Sequence, residues 1–137
     1  MENEITVRKP LLNEKGELNE RGWAKHQVLQ YDRRAVKAFH LRIKEWEYYL
    51  MMNREHAVAL TIADNSYMGL MSASVLDLNT GFQHTNSVMT ILPCGKIKLP
   101  SDSSKGVTCF ENKRIYLRFE AIEKGRTVEC RYQDFQP

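Results

Sequence analysis

The sequence predicts a mainly β protein in which an antiparallel meander forms a barrel or an open sandwich, preceded by an extended N-terminal arm. Two observations support this class. From residue 41 onward, short segments with alternating apolar residues follow one another, and clusters of turn residues separate them. No βαβ unit interrupts the series, so an antiparallel arrangement is expected.

The predicted strands can be placed from the polar loops between them. The sequence "NREH" separates the first two strands, Asn79-Thr80-Gly81 ends the third, and "SDSSKG" precedes the last three. We expect about eight strands joined by short connections, as in all-β folds. They span residues 41–52, 57–63, 67–78, 82–92, 96–99, 107–110, 114–122 and 127–133.

The N-terminal residues 1–40 differ from the rest because their apolar residues are scattered rather than periodic. We expect an arm here, followed by one β domain over residues 41–137. Asp32 is expected to cap a short helical turn through Ala35, Val36 and Phe39. The arm should lie against the sheet, because it has too many apolar side chains to leave in water. These are Leu11, Leu12, Leu18, Trp23, Val28 and Leu29.

The first predicted strand changes its apolar face partway. Leu41 and Ile43 alternate at odd positions, whereas apolar residues take even positions from Trp46 onward. Because the side chains of a strand alternate between its two faces, one extra residue is needed at the change. We therefore expect a β-bulge near Lys44 and Glu45, which would bend the strand at a corner of the fold.

The first hairpin, residues 45–63, is apolar on both faces. One face sets large residues against small ones, and the other carries Tyr49 and Met51. Such a sheet needs a cover on both sides, which the arm, a ligand, a second β domain or a homodimer could supply. The large residues are Trp46, Tyr48, Leu50 and Met52, and they face Ala63, Thr61, Ala59 and Ala57.

The last hairpin has one apolar face and one polar face. If its loop comprises residues 123–126, Ala121 faces Val128, and Arg118 meets Arg131 on the polar face. The apolar face is then core, and the polar face is in water.

Bulk properties exclude several classes of protein. A chain of 137 residues is the size of one domain, and 42% hydrophobic with 27% charged residues is usual for a soluble globular protein. No apolar run approaches the about 20 residues that span a bilayer. The acidic start lacks the apolar core of a secretory signal, so we expect a cytoplasmic protein.

Few motifs for chemistry are present. Cys94, Cys109 and Cys130 are widely spaced and the histidines show no paired spacing, so we expect thiols, no metal site and no cofactor. A net charge of +3 does not indicate the concentrated basic face that nucleic acid requires. Phosphate-binding loops and a Gly-x-Ser-x-Gly motif are absent from the sequence.

Several short motifs are nevertheless specific: Pro10-Leu11-Leu12 with Gly22-Trp23, then Lys44 to Leu50, then Ala63-Asp64 with Tyr67 and Gly69, and Leu76-Asp77 with Gly81. Together with the closing "IYLRFEAIEKGRTVECRYQDF", they resemble the opening half of an uncharacterised bacterial family, the domain-of-unknown-function family 2804 (DUF2804). The resemblance covers nearly the whole chain.

The resemblance implies a lipocalin-like fold, because the family is distantly similar to the two-domain group that includes tocopherol cyclases and carotenoid hydratases. It also implies that members usually continue into a second β-rich half. The chain is then expected to be either a fragment or a short relative that pairs with another chain. Any site between two halves would be incomplete here.

Three kinds of function follow as hypotheses. The first is binding of a small apolar or amphipathic molecule, since methionines and aromatic residues suit an adaptable apolar pocket. A third option, from a different class, is a structural or interaction module that pairs with a second β domain. The candidate ligand-binding residues are Trp46, Tyr48, Leu50, Tyr67 and Met71.

The second hypothesis is a hydratase or cyclase-type enzyme acting on an apolar substrate. Extending the first hairpin brings Asp64 near Glu45, and two close carboxylates can serve as an acid/base pair. His84 is a further candidate for moving protons. The alternative for Asp64 is an ion pair with Lys44 that closes the end of the strand, which the sequence favours.

Overall fold

In the computed structural model, which describes residues 3–136, two antiparallel sheets pack face to face as an open sandwich. The expected mainly β, antiparallel class is confirmed. Among the described residues no strand of one sheet pairs with a strand of the other, so the sandwich stays open and does not close into a barrel.

The larger sheet has four strands in the order of the chain, each hydrogen-bonded to the next by a short connection. Alternating apolar residues and the turn residues after each strand account for this meander. Its strands are β3 (Glu45–Met52), β4 (His56–Asp64), β5 (Met68–Asp77) and β6 (Gln83–Ile91).

The smaller sheet has three strands and follows a long connection. The predicted strand over residues 96–99 is wrong, because residues 94–97 form a turn and residues 98–100 have no regular structure. This connection leads directly to β7 (Val107–Glu111), β8 (Ile115–Ile122) and β9 (Gly125–Tyr132).

The N-terminal segment forms little regular structure. Two short strands, β1 (Lys9–Pro10) and β2 (Leu29–Gln30), pair in parallel. The predicted cap is confirmed, because the Asp32 side chain accepts a hydrogen bond from the Arg34 backbone N–H at 2.9 Å. It starts a single 3-10 turn, Arg33–Ala35, which is shorter than predicted because Val36 is already extended. In the described part of the chain, no helix is long and apolar enough to cross a membrane.

The core lies between the two sheets. Fully burying one such aliphatic or aromatic side chain contributes about 1.5–3 kcal/mol to the free energy of unfolding, so these few residues dominate the stability of the sandwich. The four-stranded sheet supplies Leu60, Ile62, Met71 and Ala73, and the three-stranded sheet supplies Ile115, Leu117 and Phe119.

The expected bulge near Lys44 and Glu45 is wrong. The ladder between β3 and β4 runs without interruption from the Glu45–Asp64 pair to the Met52–Ala57 pair. Leu41 belongs instead to a 3-10 turn, His40–Arg42, that precedes the strand. The change of apolar face therefore marks the start of the strand and needs no extra residue.

The loop of the last hairpin is shorter than predicted. Ile122 pairs with Gly125, so only two residues form its loop, and Ala121 faces Arg126 rather than Val128. Arg118 consequently faces Glu129 and not Arg131. Because the register differs by two residues, each side chain keeps its predicted face.

Candidate functional site: the uncharged outer face of the four-stranded sheet

The four-stranded sheet turns one face to the core and the other to solvent. Strand alternation and pairing place sixteen side chains on the outer face, in four rows that cross the sheet. None of these residues carries a charge. The rows, from β3 to β6, are Trp46, Ala63, Leu70, Met89; then Tyr48, Thr61, Ser72, Ser87; then Leu50, Ala59, Ser74, Thr85; and finally Met52, Ala57, Leu76, Gln83.

The outer face is not flat, because large and small side chains lie in neighbouring strands. Along β3 the large side chains stand in solvent, with Trp46 64% and Leu50 48% exposed. Beside them on β4, the alanines at 57, 59 and 63 are buried at the level of the sheet. The face is therefore a ridge of large apolar side chains next to a shallow groove of small ones, as the first hairpin predicted.

Polar groups on this face are small and neutral. The Ser74 and Thr85 hydroxyls lie 2.7 Å apart and hydrogen-bond each other across β5 and β6. The charged residues of β3, Glu45 and Glu47, lie on the opposite face of their strand because they occupy odd positions. Alternation of side chains thus separates the charges of β3 from its apolar ridge.

The five predicted ligand-binding residues do not come together. Trp46, Tyr48 and Leu50 share the outer face, but Met71 is fully buried in the core between the sheets. Tyr67 lies in the turn between β4 and β5, where the Lys44 ammonium sits 5.9 Å from its ring centroid. The aromatic and methionine residues therefore divide between an exposed surface and a packed core.

Glu45, a predicted acid/base candidate, is engaged by the N-terminal segment. The Tyr31 hydroxyl donates a hydrogen bond to Glu45 Oε1 at 2.6 Å, and the Arg33 guanidinium forms an ion pair with Glu45 Oε2. Burial of Tyr31, together with this hydrogen bond to a carboxylate, raises the pKa of its phenol. Glu45 thus anchors the segment to the first strand.

Asp64, the second candidate, is fully buried and holds the backbone. Its carboxylate accepts hydrogen bonds from the Ser66 N–H at 2.9 Å and from the Gly95 N–H at 2.7 Å. The predicted ion pair with Lys44 is wrong. Gly95 has φ +87°, and a side chain there would collide with Arg33, so glycine lets the loop pass beneath the anchoring arginine.

His84, the third candidate, lies at the other end of the sheet. Asp64 is aligned across β5 with Thr90, six residues along β6 from His84. At about 3.4 Å per residue, this separation is about 20 Å. The His84 ring packs edge-on against Phe135 with centroids 5.0 Å apart. The structure therefore brings Glu45 and Asp64 to one end and leaves His84 at the opposite end.

A cleft opens where the outer face meets the N-terminal segment. It has a volume of about 270 Å³, and Trp46, Leu99 and Pro100 supply its apolar wall. Its polar lining consists of Tyr31, Lys44, Glu45 and Glu47. Within residues 3–136, no group of three or more His, Cys, Asp or Glu side chains is arranged to hold a metal ion.

The chain was compared with protein families, curated proteins and solved structures. The family described as "Domain of unknown function (DUF2804)" matches residues 2–137. The chain belongs to the DUF2804 family. No curated protein and no solved structure matches it. Family membership confirms the resemblance found in the sequence and assigns no activity.

Sequence reasoning missed several residues of this DUF2804 chain that the structure brings forward. Arg33 links the N-terminal segment both to β3, through Glu45, and to the turn between β4 and β5, since it also donates to Ser66 Oγ at 3.0 Å. No local pattern marks such a contact between residues 33 positions apart. Met89 on β6 was overlooked too, although its place in an alternating strand opposite Leu70 could have revealed it.

Proposed function

We propose that this DUF2804 chain is an assembly module that binds a second copy of itself through the outer face of its four-stranded sheet. The observation that carries the proposal is the absence of charge from sixteen outer-face positions, several of which hold large, exposed apolar side chains. The largest apolar patch on a soluble protein is often a binding site.

A second copy fits this face for two reasons. A two-fold interface places the same patch on both partners, so a charge near the axis approaches its own equivalent and is repelled. The sixteen outer-face positions carry no charge, so this repulsion does not arise. The ridge along β3, from Trp46 to Met52, can also enter the groove over the β4 alanines of the other copy, and the reverse contact is then formed by symmetry.

The size of the face agrees with a specific interface. Four strands spaced about 4.8 Å apart, each with eight residues rising about 3.4 Å, cover about 500 Å² in projection. The two partners together then bury about 1,000 Å² before side-chain relief is added, which reaches the level expected of a biological interface.

The particle mass in solution tests the proposal. Leu50→Lys puts a charge in the centre of the ridge and should halve the mass measured by light scattering, because a lysine cannot be desolvated there without a partner. Ile122→Lys is the matched control, since Ile122 is also 48% exposed but lies on the outer face of the three-stranded sheet. Its mass should equal that of the wild type.

Two results would overturn the proposal. One is a wild-type protein with the 16.0 kDa mass of a single chain at about 100 μM, a concentration at which a micromolar interface is saturated. The other is a folded Leu50→Lys variant that keeps the wild-type mass.

A second candidate function is binding of a small amphipathic molecule in the cleft beside Trp46. The specific observation in its favour is the combination of an apolar wall, Leu99 and Pro100, with a cation at the rim, Lys44. In the described part of the chain no carboxylate lies within 4 Å of the Lys44 ammonium. The lining also includes Glu45, which is paired with Arg33, and Glu47. A carboxylate with a short alkyl chain would therefore have to pair with Lys44 and lay its chain against Leu99 and Pro100.

Decanoate is a suitable probe for the cleft. In a Trp23→Phe background, Trp46 is the sole tryptophan, and saturable binding should shift its fluorescence. Lys44→Gln should weaken binding about tenfold, as expected for losing one charge-assisted contact. Leu50→Lys is the control and should leave it unchanged. No saturable shift below the micelle concentration of decanoate would exclude this candidate.

A hydratase or cyclase-type activity receives less support. The carboxylate oxygens of Glu45 and Asp64 accept hydrogen bonds that hold the N-terminal segment and the loop around Gly95 in place. His84 stands at the other end of the sheet. An acid/base pair would need a carboxyl inside an apolar cavity.

A further inference from the structure

Strand β6 forms an edge of the four-stranded sheet. It pairs with β5 on one side, and between residues 3 and 136 no backbone group pairs with it on the other. It runs for nine residues without a proline or a charged side chain. Natural sheets normally protect such an edge with charges, prolines or bulges, because an exposed edge is a template for another strand.

The hydrogen bonds at the two ends of β6 show which of its residues face outward. The backbone N–H of Asp77 donates to the Phe82 carbonyl at 2.9 Å, and the backbone N–H of Leu92 donates to the Tyr67 carbonyl at 3.1 Å. In an antiparallel ladder, hydrogen-bonded pairs alternate with non-hydrogen-bonded pairs. Even-numbered residues therefore direct N–H and C=O toward β5, and odd-numbered residues direct them to the free edge. The outward residues are Gln83, Thr85, Ser87, Met89 and Ile91.

The same strand carries the two most exposed large apolar side chains of the described residues. Ile91 is 88% exposed and Met89 is 67% exposed. Side chains that stay in water do not stabilise the folded single chain, whereas burying them against a partner would stabilise a complex. Strand β6 thus combines unpaired backbone groups with uncovered apolar side chains.

We propose that β6 pairs antiparallel with β6 of a second copy, about a two-fold axis through Ser87, so that two sheets join into one of eight strands. Ser87 then faces its own equivalent, and Met89 faces Thr85 of the other copy. Each outward residue exchanges two backbone hydrogen bonds with its partner residue. No like charges meet across the axis.

The opposite edge of the sheet explains the choice of β6. Strand β3 is also an edge, but it carries Glu45 and Glu47 and follows Lys44. Charged side chains on an edge strand disfavour pairing with another strand, because the added strand would have to desolvate them in part. The chain therefore protects one edge of the sheet with charges and leaves the other suited to self-pairing.

This contact goes beyond the outer-face interface and does not depend on it. The edge axis runs perpendicular to the sheet, and the outer-face axis lies parallel to it, so both can operate in one closed assembly of four chains. Together they predict a tetramer in which two eight-stranded sheets pack face to face. Each axis can be broken separately.

Ser87→Pro tests the edge contact. Proline removes only the outward N–H, which edge strands tolerate, and leaves the pairing with β5 intact. We expect the mass measured by light scattering to halve. Cys109→Pro is the matched control: the Asn112–Ile115 hydrogen bond at 2.9 Å fixes the phase of β7, so Cys109 also points its N–H outward from an edge strand. Its mass should not change.

Amide hydrogen exchange of the wild type provides a readout that needs no variant. If β6 pairs with a second copy, the Thr85, Ser87 and Met89 amides should exchange at least tenfold more slowly than the Cys109 amide, because they are hydrogen-bonded in the assembly. Equal exchange rates would overturn the edge contact. So would a Ser87→Pro variant that stays folded and keeps the wild-type mass.

The two interfaces fail in distinguishable ways. If only the edge contact is wrong, Leu50→Lys alone yields a single chain of 16.0 kDa and Ser87→Pro has no effect. If only the outer-face contact is wrong, Ser87→Pro alone yields the single chain. If both are right, each variant has half the wild-type mass, and the double variant is a single chain.

Discussion

The outer faces of the two sheets have opposite chemistry although both rest on the same core. On the four-stranded sheet, all sixteen outer positions are uncharged. On the three-stranded sheet, five outer positions are charged in a much smaller area. They are Glu111, Arg118, Glu120, Glu129 and Arg131. The difference separates a charged face suited to water from an uncharged face, on which the proposed self-association rests.

The charged face is internally paired. Arg118 forms an ion pair with Glu120 and faces Glu129 across the ladder, and the Arg131 guanidinium lies 4.4 Å from the Tyr116 ring centroid. Solvent screens exposed ion pairs, so these contacts add little to the free energy of unfolding. The main effect of these charged groups is to keep their face hydrated, whereas the other outer face has no charged groups.

The largest expected effect separates the shared core from the outer faces. Phe119→Ala removes a fully buried ring that meets Tyr49 edge-on with centroids 4.9 Å apart, and it should lower the free energy of unfolding by about 3–5 kcal/mol. Trp46→Ala removes a larger side chain from the outer face but should cost about 1 kcal/mol or less. Urea unfolding of both variants in a Leu50→Lys, Ser87→Pro background, which breaks both proposed contacts, compares them as single chains.

Equal losses from the two substitutions would contradict the distinction. They would mean that Trp46 packs in the folded chain, so that the ridge is not a free surface. A matched conservative control is Phe119→Leu, which should recover most of the stability because it refills the volume of the ring.

Prediction from sequence worked best where local rules act. The loop after Met52 places Trp46 opposite Ala63 and Tyr48 opposite Thr61, as the structure confirms. Turn residues fixed that register, because shifting a hairpin by one residue would reverse both faces. The last hairpin was displaced by two residues, since Gly125 has φ +135° and permits a tighter turn than the sequence alone suggested.

Long-range contacts could not be predicted. Arg33 reaches Glu45 and Ser66 through a path that no periodic pattern records, and Asp64 meets Gly95 from 31 residues away. The predicted pairing of Asp64 with Lys44 relied on proximity along the hairpin. A fully buried carboxylate instead accepted backbone N–H groups of an adjoining loop, which removes their desolvation cost without requiring a second buried charge.

A smaller effect is expected from removing charge on the three-stranded sheet. The double substitution Arg118→Leu and Glu129→Leu would make its outer face resemble that of the larger sheet. We expect stronger self-association, seen as an increase in mass with concentration, while the free energy of unfolding changes by about 1 kcal/mol or less. Arg118→Lys with Glu129→Asp keeps both charges and serves as the control. If the leucine variant keeps the wild-type mass at all concentrations, lack of charge is not what makes an outer face of this sandwich adhesive.

The smallest effect concerns the titration of the charged face. The hydrogen bond from Arg118 lowers the pKa of Glu120 below its ordinary value of 4.5, and the positive charge of Arg118 acts in the same direction. Because this pKa is lower in the folded chain, the contribution of Glu120 to stability is present above the ordinary pKa and is lost as the pH falls through the lowered one. Arg118→Gln should move the pKa of Glu120, measured from its carboxyl carbon by NMR, back toward 4.5. The uncharged outer face has no group that titrates there, so Leu50→Lys should leave the Glu120 midpoint unchanged. A wild-type Glu120 that already titrates at the ordinary pKa would show that its ion pair with Arg118 does not persist in solution, and the charged face would then be a set of independent solvated groups.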